Sequence, residues 1–145
     1  MFSARNNILR SFGSGFTLIE LIIVIAIIGI LASVVLASLQ DARTSGADAT
    51  IKQSLGVIRS QSDIYYNTNN FTYVGFCTNG EVTPVLQYIF DVNGGSVAEC
   101  NADTAEWAVS SPLVSTSTEW CVDSAGFVGE RVTALADGEY VCPAS

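Results

Sequence analysis

Between Leu21 and Leu39 the chain is apolar except for Ser33 and Ser38. As an α-helix this run is about 28 Å long, enough to span a thinned bilayer. Glu20 stands at its head. A carboxylate at the bilayer centre costs about 2.5–3.5 kcal/mol, so an acid at this place is a candidate for function. The competing reading puts Glu20 near the helix end, where its side chain reaches the headgroup layer. Past Leu39 the pattern turns amphipathic. Ala47, Ile51, Leu55, Ile58 and Tyr65 recur on one face at mostly helical spacing, with Ser62 interrupting. Asp41, Arg43, Asp48, Lys52, Arg59 and Asp63 fall mostly off that face. Asn67-Thr68-Asn69-Asn70 is a turn-forming cluster that should end the helix. The pattern thus predicts one helix from about Phe16 to Tyr66, about 76 Å long if straight. Such a rod cannot be buried in a small globule. Its first half must lie in lipid or against copies of itself, and its second half can pack on a sheet.

Further along, Phe71, Tyr73, Val74 and Phe76 are able to cover an apolar surface. Thr83-Pro84 suits a helix start, with Thr83 as N-cap and Pro84 in the first turn. Val85, Leu86, Ile89 and Phe90 make one face of a short helix, about Pro84 to Val92, which Gly94-Gly95 would end. From Ala105 the sequence reads as β. Trp107–Leu113, Thr118–Val122 and Phe127–Val132 are strand-like, and Glu139–Cys142 is a possible edge strand. Asp123-Ser124-Ala125-Gly126 and Asp137-Gly138 are the turn signals. Strands joined this tightly must be antiparallel. The predicted class is α+β: a long N-terminal helix packed on a small antiparallel meander, with Trp107 and Trp120 filling the space between.

The residues ahead of the apolar run carry Arg5 and Arg10 and no acid. Positive charge before a span keeps that end in the cytoplasm and sends the bulk of the chain outside. The stretch Gly15-Phe16-Thr17-Leu18-Ile19-Glu20 and its apolar run closely resemble the class III signal of type IV pilins and type II secretion pseudopilins. The resemblance covers about Arg10 to Tyr66. It implies a prepilin peptidase that cuts between Gly15 and Phe16 and methylates the new N-terminus at Phe16. It also implies that Glu20 meets the ammonium of a neighbouring subunit's Phe16 during filament assembly. An adjacent cation strongly stabilises a carboxylate in lipid, and only the cut exposes an ammonium at that depth. The partners implied are further copies of the chain in a homo-oligomeric filament, assembly-platform membrane proteins and the membrane itself. The expected organisation is a leader at 1–15, a filament-core span at 16–39, its amphipathic continuation at 40–66 and a globular head at 67–145.

A secretory signal is the rival reading, with Val35-Leu36-Ala37 as its cut site and a mature chain starting at Ser38. The apolar run exceeds the roughly 7–15 residues of such a signal, and a plain signal has no use for Glu20. On that reading the product is a tethered or secreted monomeric binding domain. Charge narrows the choice of partner. The chain has six basic and fourteen acidic side chains, net −8. Without Arg5 and Arg10 four basic groups remain (6 − 2) against all fourteen acids. Nucleic-acid binding by this subunit is therefore not expected.

Cys77, Cys100, Cys121 and Cys142 all follow the apolar run, and an even count in an exported region favours two disulfides. Of three possible connectivities, Cys77–Cys100 with Cys121–Cys142 is the favoured one. The second bridge would pin the C-terminal tail to the sheet, as a C-terminal disulfide does in many pilins. There is no His and no CxxC spacing, which argues against zinc. Asp123, Asp137 and Asp91-Val92-Asn93-Gly94 offer oxygens, but no segment has the spacing of a calcium loop. The pairs Asp137 with Glu139 and Glu99 with Asp103 read as solvated acidic surface. Hydroxyls such as Ser110 and Ser111 have no base near them in sequence, and no glycine loop suits a phosphate. No enzyme activity, cofactor or metal is expected.

Overall fold

The computed structural model describes residues 15–142. The leader with Arg5 and Arg10 therefore lies outside the described residues up to Ser14. Helix α1 runs Leu18–Thr68, followed by a 3-10 turn at Phe76–Thr78 and helix α2 at Thr83–Val92. Four strands follow: β1 Glu99–Ala102, β2 Trp107–Pro112, β3 Glu119–Asp123 and β4 Val128–Arg131. They form one antiparallel sheet in the order β1-β2-β3-β4. The architecture is α+β, as the pattern predicts. The chain divides into two compact units, parting between Ser38 and Leu39.

In the first unit no side chain of the apolar span is buried, and Leu36 is 67% exposed. The hydroxyls of Ser33 and Ser38 donate to the carbonyls of Ile30 and Val34, so the run presents no free hydroxyl donor. That suits a lipid-facing helix, where unpaired polar groups are costly.

The second unit has a core with two faces. Ile51, Leu55 and Ile58 of α1 meet Trp107, Val109 and Val122 of the sheet, with Phe76, Val82 and Ile89 closing the sides. Phe76 and Trp107 lie 5.4 Å apart between ring centres. On the other sheet face Ala108 and Cys121 pack under Leu135 and Cys142 of the C-terminal tail. Strand β2 is covered on both faces, which is why its residues Trp107 to Ser111 are all buried.

Several sequence expectations are corrected. Asp48 is not off the packed face. It is 6% exposed and accepts hydrogen bonds from the Val114 and Ser115 N–H groups and the Ser115 hydroxyl. A carboxylate thus holds the β2–β3 loop to α1. Thr83 does not cap α2. Its hydroxyl donates to the Asn79 carbonyl, and Val82 at the cap position has helical backbone angles. Phe71 and Val74 stay off the core, at 66% and 56% exposed, whereas Tyr73 and Phe76 do pack on it. Trp120 is half-buried under the Lys52 ammonium, 4.4 Å from its ring centre, while Trp107 fills the core. Glu139–Cys142 forms no strand. Carbonyls that a ladder would use are taken by the Asn101 side chain, which donates to Ala136 and Glu139, and the Cys142 N–H donates to Asp123.

The end of α1 shows why an Asn-rich cluster stops a helix. Asn70 and Phe71 both have positive φ, 56° and 58°. The Phe71 N–H reaches back to the Tyr66 carbonyl, and the two rings meet edge-on at 5.6 Å. This is the hydrogen-bond and apolar pairing of a left-handed helix stop. Gly94 and Gly95 play the same part after α2, at φ 82° and 96°.

Candidate processing and assembly site

The site begins at Gly15 and Phe16, which precede the first turn of α1. Phe16 is 81% exposed. Thr17 and Glu20 then form a reciprocal cap. The Glu20 N–H donates to Thr17 Oγ1 at 3.3 Å, while Glu20 Oε2 accepts from the Thr17 N–H at 2.9 Å and from its hydroxyl at 2.7 Å. A Thr-x-x-Glu spacing before an apolar run is a helix-start signature, and it satisfies N–H groups that have no partner within the helix. The carboxylate is thereby held at the helix N-terminus, where the helix dipole favours negative charge. It lies three residues from the amide that Thr17 contributes, at the end that a cut after Gly15 would free. Thr17 was missed by sequence reasoning, although the Thr17–Glu20 spacing was there to be read.

Residues 12–36 match the family model described as the prokaryotic N-terminal methylation motif. The match supports reading the chain as a type IV pilin-like or pseudopilin precursor. The match takes in Gly15, Phe16, Glu20 and most of the apolar run. The pilin-like family is structural rather than catalytic, and its motif implies a prepilin peptidase substrate and a filament subunit. Signal and apolar helix together fit a membrane-anchored, surface-exposed protein. Neither the curated proteins nor the solved structures compared with the chain gave a match. The head is therefore read from its own geometry.

In the head Cys77 is bonded to Cys100 and Cys121 to Cys142. The first bridge ties the 3-10 turn to β1, a strand that the sequence pattern does not predict. The second ties the end of the described chain to β3. Each closes a loop of about twenty residues, for which loop entropy gives about 3 kcal/mol. Buried carboxylates tie down the loops around them. Asp123, 1% exposed, accepts from the N–H groups of Phe127 and Cys142, both at 2.8 Å. Those bonds engage both oxygens of the Asp123 carboxylate. Asp103 caps the β1–β2 turn by accepting from Ala105 and Glu106. Glu139 accepts from the Ala136 N–H and from Arg131. Among the described residues no three Asp, Glu, Cys or His side chains gather as a metal site would require. Ser110 and Ser111 are buried and hydrogen-bonded to Glu119 and Asn93, with no imidazole or amine base.

Proposed function

We propose that this protein is a structural subunit of a type IV pilus-like or type II secretion-like filament. The prepilin peptidase cuts it after Gly15 and methylates Phe16. Before assembly it rests in the cytoplasmic membrane as a single span at 16–39, N-terminus inside and head outside. Assembly-platform membrane proteins then move it into the filament. There the apolar helices leave lipid for one another, and Glu20 pairs with the Phe16 ammonium of a neighbouring copy. The observation that carries this reading is the methylation-motif match at residues 12–36, lying over an apolar helical span whose side chains are unburied within one chain.

The pairing has a physical basis in the cap. Glu20 Oε2 is bound by Thr17 alone among the described residues. A second copy's ammonium adds a charge-assisted bond to an oxygen already fixed in direction, in a medium where charges interact strongly. Glu20→Ala is expected to leave cleavage intact and to abolish filaments seen by electron microscopy of cells. Normal filaments from that variant would end the pairing idea. Thr17→Val removes the hydroxyl and leaves the carboxylate, so it is expected to thin the filament population rather than remove it.

A further inference from the structure

Arg131 is 3% exposed, yet its guanidinium has only distant partners. Nη2 is 3.4 Å from Glu139 Oε2 and 3.4 Å from Thr133 Oγ1. Nε has no hydrogen-bond acceptor among the described residues. Nη1 lies 3.8 Å from Cys121 Sγ. The other buried charged side chains among the described residues, Asp48 and Asp123, accept bonds of 2.6 and 2.8 Å. A buried cation held this loosely is poor value for stability, because its desolvation exceeds what long contacts return. Its position against a sulfur atom is what needs an account.

The hairpin alone creates that position. Cys121 pairs with Gly129 and Glu119 with Arg131, so Cys121 and Arg131 are diagonal neighbours on one face of the β3–β4 ladder. Only β3, β4 and their turn need to form. The turn is set locally by the Phe127 N–H donating to Asp123 and by Gly126 at φ 101°. Cys142 comes from farther away, 21 residues along the chain. The other ionisable groups on this face among the described residues, by register or by contact, are Glu119, Asp123 and Glu139. Of these, Asp123 is engaged by two N–H donors and Glu119 by the Ser110 hydroxyl.

We propose that, in the reduced chain, Arg131 stabilises the Cys121 thiolate and so makes Cys121 the nucleophile that closes the Cys121–Cys142 bridge. The oxidant is a disulfide donor, with oxidised glutathione as its simplest form. A Cys142 thiolate first attacks the donor, forming a mixed disulfide on Cys142 and releasing one glutathione thiolate. The Cys121 thiolate then attacks Cys142 Sγ. The Cys121–Cys142 bond forms, the mixed disulfide breaks and a second glutathione leaves as its thiolate. Two thiols are oxidised and one glutathione disulfide is reduced. A thiolate is the reactive form, and a neighbouring cation enlarges its share at neutral pH. Cys77 and Cys100 serve as the internal control. The cleft beside their bridge is lined by Asp137 and Tyr140 and by no basic side chain.

The proposal leans on the filament reading only for the oxidising compartment, and its test needs no filament. The full chain in detergent is reduced, freed of reductant and exposed to oxidised glutathione. Closure of each bridge is then followed by alkylation and mass spectrometry. Arg131→Met is expected to slow Cys121–Cys142 closure about threefold at pH 7, since the larger thiolate share is partly offset by lower intrinsic nucleophilicity. It should leave Cys77–Cys100 closure unchanged and move the pH profile of the first bridge upward. Arg131→Lys should restore much of the rate. In the oxidised protein Arg131→Met should unfold at the same or a higher temperature, as expected when a poorly paired buried charge gives way to an apolar side chain. Cys121→Ser should accumulate glutathione on Cys142. Equal slowing of both bridges, an unmoved pH profile, or a fall in unfolding temperature with no change in closure rate would each overturn the proposal.

Discussion

The two stretches of α1 on either side of Ser38 are built from the same kind of residue and treat it oppositely. Leu31 is 61% exposed, and Leu55 is wholly buried. Before Ser38 leucines, isoleucines and valines surround the helix on every side. After it the buried ones keep to one stripe, Ile51, Leu55 and Ile58, while Leu39, Val57 and Ile64 stay exposed among polar groups. An all-round apolar helix has no partner in its own chain and must find one outside it. A striped helix can be satisfied by a single sheet. The difference teaches that the head's stability and the span's environment are separable properties, governed by different residues of one helix.

The largest expected effect therefore comes from exchanging the same residue in the two places. Leu55→Ala should cost the head about 2–5 kcal/mol by opening a cavity among Ile51, Trp107 and Val122. Leu31→Ala should leave head unfolding in detergent unchanged. Equal losses, measured by thermal unfolding of the full chain, would break the separation. Next in size is the tail. Cys142→Ser should cost about 3 kcal/mol, again with no effect on membrane retention. A smaller loss, about 1–3 kcal/mol, is expected for Asp48→Ala, which leaves the Val114 and Ser115 amides without their acceptor. Asp41→Ala, on the exposed first turn past the boundary, should cost nothing measurable.

The smallest effect sharpens the comparison through pH. Partial burial raises the Tyr73 phenol above its usual range, with Trp107 pulling the other way and Asp63 and Tyr66 adding to the rise. The sign follows from that direction. Where the folded state holds the proton more tightly, stability is intact below the phenol's ordinary range and falls as pH rises through the raised one. Unfolding temperature should thus decline above about pH 10, and Tyr73→Phe should decline less. An identical decline in both would remove Tyr73 from the account.

What could be read from the residues was whatever repeats or is locally signalled. The apolar run, the stripe on α1, the Asn-rich stop, Gly94-Gly95 and three of the four strands each declare themselves within a few positions. The methylation motif was legible because six adjacent residues, Gly15 to Glu20, carry the resemblance. Missed features depend on partners far along the chain. Asp48 looks like a solvent-facing acid until the Val114 and Ser115 amides, 66 and 67 residues on, arrive to claim it. Strand β1 is four residues long and is defined by β2, its only partner in the sheet. Glu139–Cys142 has a strand's composition, but Asn101 and Asp123 take its backbone groups. Arg131 gives no sign in sequence of being buried, because only the β3–β4 register sets it beside Cys121. Thr17 is the one local feature overlooked, and its spacing to Glu20 was sufficient to find it.

The central claim is that this chain is cut after Gly15 so that a charged, methylated Phe16 can stand beside a neighbour's Glu20. Intact-mass and N-terminal peptide mass spectrometry of the protein taken from cell envelopes tests it most directly. The account predicts a chain beginning at N-methylphenylalanine 16, with both disulfides in place. A chain that keeps its leader in cells that process other prepilins, or one that starts at Ser38, would contradict it.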